Sequence, residues 1–230
     1  VPYPWPKYDQ ICVSGFPFGG MENTTMTTLN ENTLHDERAA LDVASTGLVA
    51  HELAHQWFGD LVTCKDWSDI WLNESFATYL ASIAIERATD FEKTWLNFNT
   101  ESKRWAYWED QLITTHPVEA KGKNTEDAFA NFDGITYAKG ASVLKQLVAW
   151  VGLENFLEGI RGYFKDFEYA NSEFSDLLAA LEKASGRELE SWAQEWLQTS
   201  GVNTLAPEFE LDADGGYASF SIRQSAHPDH

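Results

Sequence analysis

The apolar positions of this chain change period twice. Up to residue 35 they fall among Pro, Gly, Thr and aromatic residues with no helical spacing, which suits strands and loops, and 8–13 and 24–29 are the predicted strands. From Glu37 the period becomes helical. Leu41, Ala44, Leu48, His51 and His55 recur at alternating three- and four-residue steps, and Gly59 is placed to end that helix. A second helix is predicted over 69–87, with Ile70, Phe76, Leu80, Ile83 and Ala84 as its apolar positions, and a third over 91–108. Residues 114–134 read as irregular, and further helices are predicted at 136–150, 153–166, 173–184 and 188–199. Ser172 is a candidate cap for the helix at 173–184, with Glu173 and Asp176 in its first turn and Ser185-Gly186 at its end. The last change is to a period of two. Phe209-Glu210-Leu211 and the segment 217–222 alternate around the Gly-rich 212–216, which predicts a β-hairpin.

This order predicts an α+β fold with a small, mostly antiparallel strand region over about 1–35 and a helical array over about 36–205. Residues 206–230 would then open a following β domain, a β-sandwich or a tail. A lone hairpin is marginal in water, so its sheet is expected to continue elsewhere and the chain reads as a piece of a longer protein.

Composition narrows the partners. With 230 residues, 43% hydrophobic and 14% aromatic, the chain is long enough to bury a core. It has no apolar run of about 18 residues that would predict a membrane span. Sixteen Lys and Arg against 36 Asp and Glu give a net charge of −20 and no basic stripe, which argues against nucleic acid and against an anionic membrane surface. Such acidity suits a solvated surface; it would also draw cationic amines towards a cleft. The two cysteines, Cys12 and Cys64, are too few for a disulfide scaffold and are expected as buried thiols in a reducing, cytoplasmic compartment.

The chemistry lies in His51-Glu52-Leu53-Ala54-His55 and in Glu74, 19 positions past the second histidine. Residues four apart share a helix face, so both imidazoles can reach one metal while Glu52 stands beside it. Two neutral imidazoles, one carboxylate and an open fourth position describe a catalytic zinc site, with one ion, rather than a structural one. Zinc lowers the pKa of a bound water towards about 7, and Glu52 is placed to take the water proton and pass it to a leaving amine. A chain of this size meets the five-residue pattern by accident roughly once in a hundred, and a correctly spaced Glu makes accident a poor account. Glu74 sits among Trp71, Leu72, Phe76, Tyr79 and Leu80, where a carboxylate needs a cation.

Four segments together resemble the zinc aminopeptidases related to aminopeptidase N. They are Gly19-Gly20-Met21-Glu22-Asn23, His51-Glu52-Leu53-Ala54-His55-Gln56-Trp57-Phe58-Gly59, Trp71-Leu72-Asn73-Glu74-Ser75-Phe76-Ala77 and Phe132-Asp133-Gly134-Ile135-Thr136-Tyr137-Ala138-Lys139-Gly140. The likeness covers roughly residues 3–205 and implies a thermolysin-like catalytic domain over 1–205. It implies His51, His55 and Glu74 as zinc ligands and Glu52 as the general base. Glu22 would bind the free α-amino group of a peptide, with the backbone of Gly19, Gly20 and Met21 approaching the substrate closely. Tyr137 would donate to the developing oxyanion. The implied activity is removal of single residues from peptides with a free N-terminus.

Two departures from the family pattern stand out. Family members more often carry Ala at the position of Gly20, and Gly there also occurs in the leukotriene hydrolases, which open an epoxide as well as cleaving peptides. The family's N-terminal β domain and C-terminal helical domain lie outside this sequence. Epoxide hydrolysis and a non-catalytic binding role are therefore the rival readings, although His51, Glu52, His55, Glu74 and Tyr137 are all present.

Overall fold

The computed structural model describes residues 1–36, 43–122 and 124–226. Its first sheet holds β1 (Asp9–Val13), β2 (Gly20–Met21) and β3 (Met26–Asn30) in the order β1-β3-β2. β1 and β3 run parallel from Asp9↔Met26 to Val13↔Asn30, while β2 lies antiparallel to β3 through Gly20↔Leu29 and Met21↔Thr28. The sheet is thus not mostly antiparallel as expected. The chain reverses between β1 and β2 and again between β2 and β3, and two reversals return β3 to the direction of β1. β2 is two residues long, too short for any alternation to be read.

The first helix, α1, is described over Val43–Ala54; its expected start at Glu37 and the apolar Leu41 lie outside the described residues. The α-helical ladder closes at Ala54, yet the His55 amide still donates to the His51 carbonyl at 3.2 Å. The two imidazoles therefore stay on one face. The chain turns back at Gly59, whose φ of +126° no side chain adopts without strain. It then enters β4 (Val62–Cys64), which pairs in parallel with β5 (Ala170–Ser172). Neither of these three-residue strands was predicted, for the same reason of length.

Helix α2 (Ile70–Ala88) matches its predicted span to within one residue at each end. Its buried residues, from Trp71 and Leu72 through Phe76, Tyr79 and Ile85, point in every direction, so the helix runs through the interior. It packs against α1 and against α6 (Gly140–Val151). The third predicted helix is a continuous run from α3 (Thr94–Asn97) through a π-helical stretch, Phe98–Ser102, into α4 (Lys103–Glu109). Within the segment expected to be irregular lies α5 (Thr125–Ala130), capped by the Asn124 side chain, which accepts from the Asp127 amide at 2.9 Å.

A second π-helical stretch, Ile135–Lys139, leads into α6, followed by α7 (Leu153–Phe167), α8 (Phe174–Ser185) and α9 (Glu190–Leu197). Glu173, not Ser172, caps α8, in a reciprocal box with Asp176. Ser172 belongs to β5 instead, and its buried hydroxyl lies 2.6 Å from that of Tyr163.

The core is largely aromatic. Phe58 stacks on Phe76 with ring centroids 4.2 Å apart and meets Phe164 edge-on at 4.7 Å, with Phe156 and Tyr163 alongside. Truncating such rings to Ala costs about 3–5 kcal/mol each, so this block holds α2 firmly against the end of α1.

Asp110, just beyond α4, ties the next layer together. Its buried carboxylate accepts from Lys139 Nζ and Thr115 Oγ1, both at 2.8 Å, and from the Gly201 amide at 2.9 Å. Asp110→Ala leaves the half-buried Lys139 ammonium, the Thr115 hydroxyl and the Gly201 amide without their acceptor, so it is expected to destabilise the protein by about 2–3 kcal/mol, read as a fall in Tm. An unchanged Tm would show the pair to be dispensable.

At the C-terminal end β6 (Thr204–Leu211) and β7 (Tyr217–Ser225) form the expected hairpin, closed by Asp212 Oδ1, which accepts from the amides of Asp214 and Gly216. The strand begins at Thr204, so the division expected at 206 falls inside it. Cys12 and Cys64 are unpaired and only half-buried, not buried as expected. No helix among the described residues is long and apolar enough to cross a membrane.

Candidate metal centre

Three side-chain atoms converge where the end of α1 meets α2. His51 Nε2 and His55 Nε2 are 3.0 Å apart, and Glu74 Oε2 lies 3.2 Å from the first and 3.3 Å from the second. Two imidazole nitrogens and a carboxylate at these separations match the face of a coordination tetrahedron. Bonds of about 2.0–2.1 Å place neighbouring ligand atoms about 3.3 Å apart. The donor set and its geometry both fit a divalent ion. All three side chains are largely buried, which keeps competing water away.

Partners behind the rings fix their orientation. The Nδ1–H of His55 donates to the Phe58 carbonyl at 2.9 Å, which leaves the Nε2 lone pair facing the cluster. Thr78 Oγ1 lies 3.3 Å from His51 Nδ1. The carbonyl that serves His55 is available because the chain reverses at Gly59, so the turn and the ligand are one local construction. Burial holds His51 below the ordinary imidazole range. Burial also opposes a charged His55, but the Glu74 carboxylate outweighs it and raises that ring, while His55 and His51 in turn hold Glu74 low against the effect of burial.

Glu52 is not part of this triangle but adjoins it. Its carboxylate forms a second close group with Glu22 and His55, the ligating atoms all within 4.8 Å of one another. Burial, assisted by the charges of Glu22 and Glu74 and opposed by His55, pushes Glu52 up to about 8. The carboxylate occupies the space beside Gly20: a Cβ there would meet Glu52 Oε1 at 2.2 Å. The edge strand β2 therefore comes close against α1, with Gly20 beside Glu52 and Gly19 beside Leu48. Met21 and Gly19 are exposed.

Tyr137 also reaches the cluster, from the π-helical stretch Ile135–Lys139. Its ring stacks on that of His51 at 5.8 Å and on Trp105 at 6.2 Å, and its hydroxyl bonds to Glu74. Burial and then the Glu74 charge raise this phenol well above its usual range, so it remains a hydrogen-bond donor. The π-helical stretch sets its position. Asp133 Oδ1 accepts from the amides of Ile135 and Thr136, and the buried Ser75 hydroxyl, next to Glu74 on α2, donates to the Thr136 carbonyl at 2.7 Å. His116 in turn holds Asp133 at 3.0 Å.

Of the nine residues singled out in the sequence, His51, His55, Glu74, Glu52, Glu22, Tyr137 and Gly20 thus come together, whereas Gly19 lies against Leu48 of α1 and Met21 is exposed. Sequence reasoning gave no role to Thr78, although it stands four positions past Glu74 on the same face of α2, a spacing that is legible. Asp60 was also passed over; burial, then the neighbouring Glu22 charge, push it up to about 6. The Phe58 carbonyl leaves no mark in the side-chain pattern.

Residues 1–196 match the model of the peptidase family M1 domain. The chain is 50% identical over 230 residues to aminopeptidase N of Streptomyces lividans, covering 97% of this chain and 27% of that protein. It is 41% identical over 240 residues to probable aminopeptidase 2 of Sulfurisphaera tokodaii, covering 96% and 30%. Against leucyl aminopeptidase of Saccharolobus solfataricus it is 38% identical over 204 residues, covering 87% and 26%. The chain thus spans about a quarter to a third of the length of these relatives. It belongs to the peptidase M1 family.

Proposed function

We propose that the chain up to the start of β6 at Thr204 is a thermolysin-like catalytic domain of a zinc-dependent aminopeptidase, with the β6–β7 hairpin opening a β-sandwich domain, and that the protein removes single residues from peptides with a free N-terminus. The observation that carries this reading is the triangle of His51, His55 and Glu74, with Glu52 and Glu22 adjoining it. Family membership and the names of the relatives support it.

The metal bound by His51, His55 and Glu74 would polarise the scissile carbonyl and acidify water. Each remaining task falls to a residue of this chain. Glu22 pairs with the substrate's α-ammonium, a charge-assisted hydrogen bond that fixes which carbonyl lies over the site. Glu52 takes the proton from water and returns it to the departing amine. Tyr137 donates to the carbonyl oxygen as negative charge grows there. Gly19, Gly20 and Met21 offer a strand edge to the peptide backbone.

The reading is tested by turnover of an amino-acid arylamide and its N-acetyl counterpart, with metal removed by a chelator and zinc restored. Hydrolysis of the free amine only, lost on chelation and recovered with zinc, is expected. Glu22→Gln should lower kcat/KM for the free amine by about 10²-fold or more, the order of a lost charge-assisted contact, and leave bound zinc unchanged. Equal turnover of both substrates by the unaltered protein would overturn the exopeptidase assignment.

A further inference from the structure

We infer that Gln56 is the positioning residue that aims Glu22, so that the selection of free amines depends on an amide immediately beyond the second histidine. This rests on the role assigned to Glu22 above.

Gln56 is completely buried. Its Oε1 accepts from the Thr25 backbone amide at 2.9 Å and from the Tyr3 hydroxyl at 3.3 Å, while its Nε2 donates to the Glu22 carbonyl at 3.2 Å. One side chain thus grips both ends of the turn that follows Glu22. That turn is an uncommon one. Thr25 has φ of 67°, in the left-handed region that a β-branched residue avoids, and the Met26 amide closes the turn on the Asn23 carbonyl at 2.9 Å. A non-glycine residue persists there only when its surroundings hold it, and the Gln56 acceptor on the Thr25 amide does so.

The residue type is dictated by what it bridges. A carbonyl on one side needs a donor and an amide on the other needs an acceptor, and a planar carboxamide supplies both. Gln56 is itself fixed: its amide donates to the Leu53 carbonyl at 3.2 Å and its carbonyl accepts from Trp5 Nε1 at 3.2 Å. The backbone bearing Glu22 is therefore joined to His55 through one intervening residue. The separation between ammonium site and metal site is set by that short linkage, and not by the two-residue strand β2 alone.

The test is equilibrium binding of leucinamide and of N-acetyl-leucinamide, measured by calorimetry on the zinc-loaded protein at its natural length. The preference for the free amine is the readout, with metal content and Tm measured in parallel. Gln56→Met, which keeps length and loses both hydrogen-bonding functions, is expected to lower that preference about tenfold and to lower it less than twofold in a Glu22→Gln background. Gln56→Glu keeps the acceptor for Thr25 and loses the donor to Glu22, so a smaller loss is expected; it serves if the Met variant fails to fold. An unchanged preference in Gln56→Met or Gln56→Glu, or an equal further loss in the Glu22→Gln background, overturns the inference. Should Glu22→Gln itself leave the preference intact, the role of Glu22 fails instead, which separates the two readings.

Discussion

Glu52→Gln is expected to retain a full complement of bound metal and to lower kcat about 10²–10⁴-fold, the usual scale of a lost general base. The substitution is nearly isosteric, so the space beside Gly20 stays filled and β2 keeps its place against the motif helix. The triangle of His51, His55 and Glu74 does not include Glu52, so affinity for the ion has no reason to fall. Only the capacity to accept a proton is removed. A carboxylate can accept a proton from water, and an amide of the same shape cannot. Arylamide kinetics with metal content measured on the same sample decide the matter; a rate close to that of the unaltered protein would remove Glu52 from the proposed chemistry.

The second large effect is expected from Tyr137→Phe, with kcat lowered about 10²–10³-fold and KM changed little. The ring stays between His51 and Trp105, so packing is conserved and the lost group is a single hydroxyl. That hydroxyl is held protonated by burial and by the Glu74 charge, which suits a donor to a carbonyl oxygen gaining charge and not a proton shuttle. A donor used only as charge develops alters kcat, whereas one that binds substrate and transition state equally alters KM. A rise in KM at constant kcat would make Tyr137 a contact for bound substrate.

The parts of this arrangement differ in how plainly the sequence announces them. His51 and His55 are legible because four positions are about one helical turn, and Glu74 because an acid among Trp71, Leu72 and Phe76 needs a positive partner. The long helices were legible through their period, α2 to within a residue at each end. Glu22 and Tyr137 were not. One follows a two-residue strand and the other lies on a π-helical stretch, where no period is available to read, and resemblance alone drew attention to them. The parallel course of β1 and β3 stayed hidden because it depends on where two reversals place the strands. Capping is half legible: Glu173 and Asp176 stand out at the start of α8, but Ser172 reads as the cap because an isolated serine does not announce that its hydroxyl faces Tyr163.

The bond from Ser75 to Thr136 spans 61 positions, whereas His51 and Glu74 are separated by 23. A chain emerging from the ribosome therefore exposes His51, His55 and Glu74 well before the segment that carries Tyr137. The triangle at the end of α1 can thus close before Tyr137 is there to stack on His51, so formation of the candidate ion site and completion of the pocket around it are separable in time.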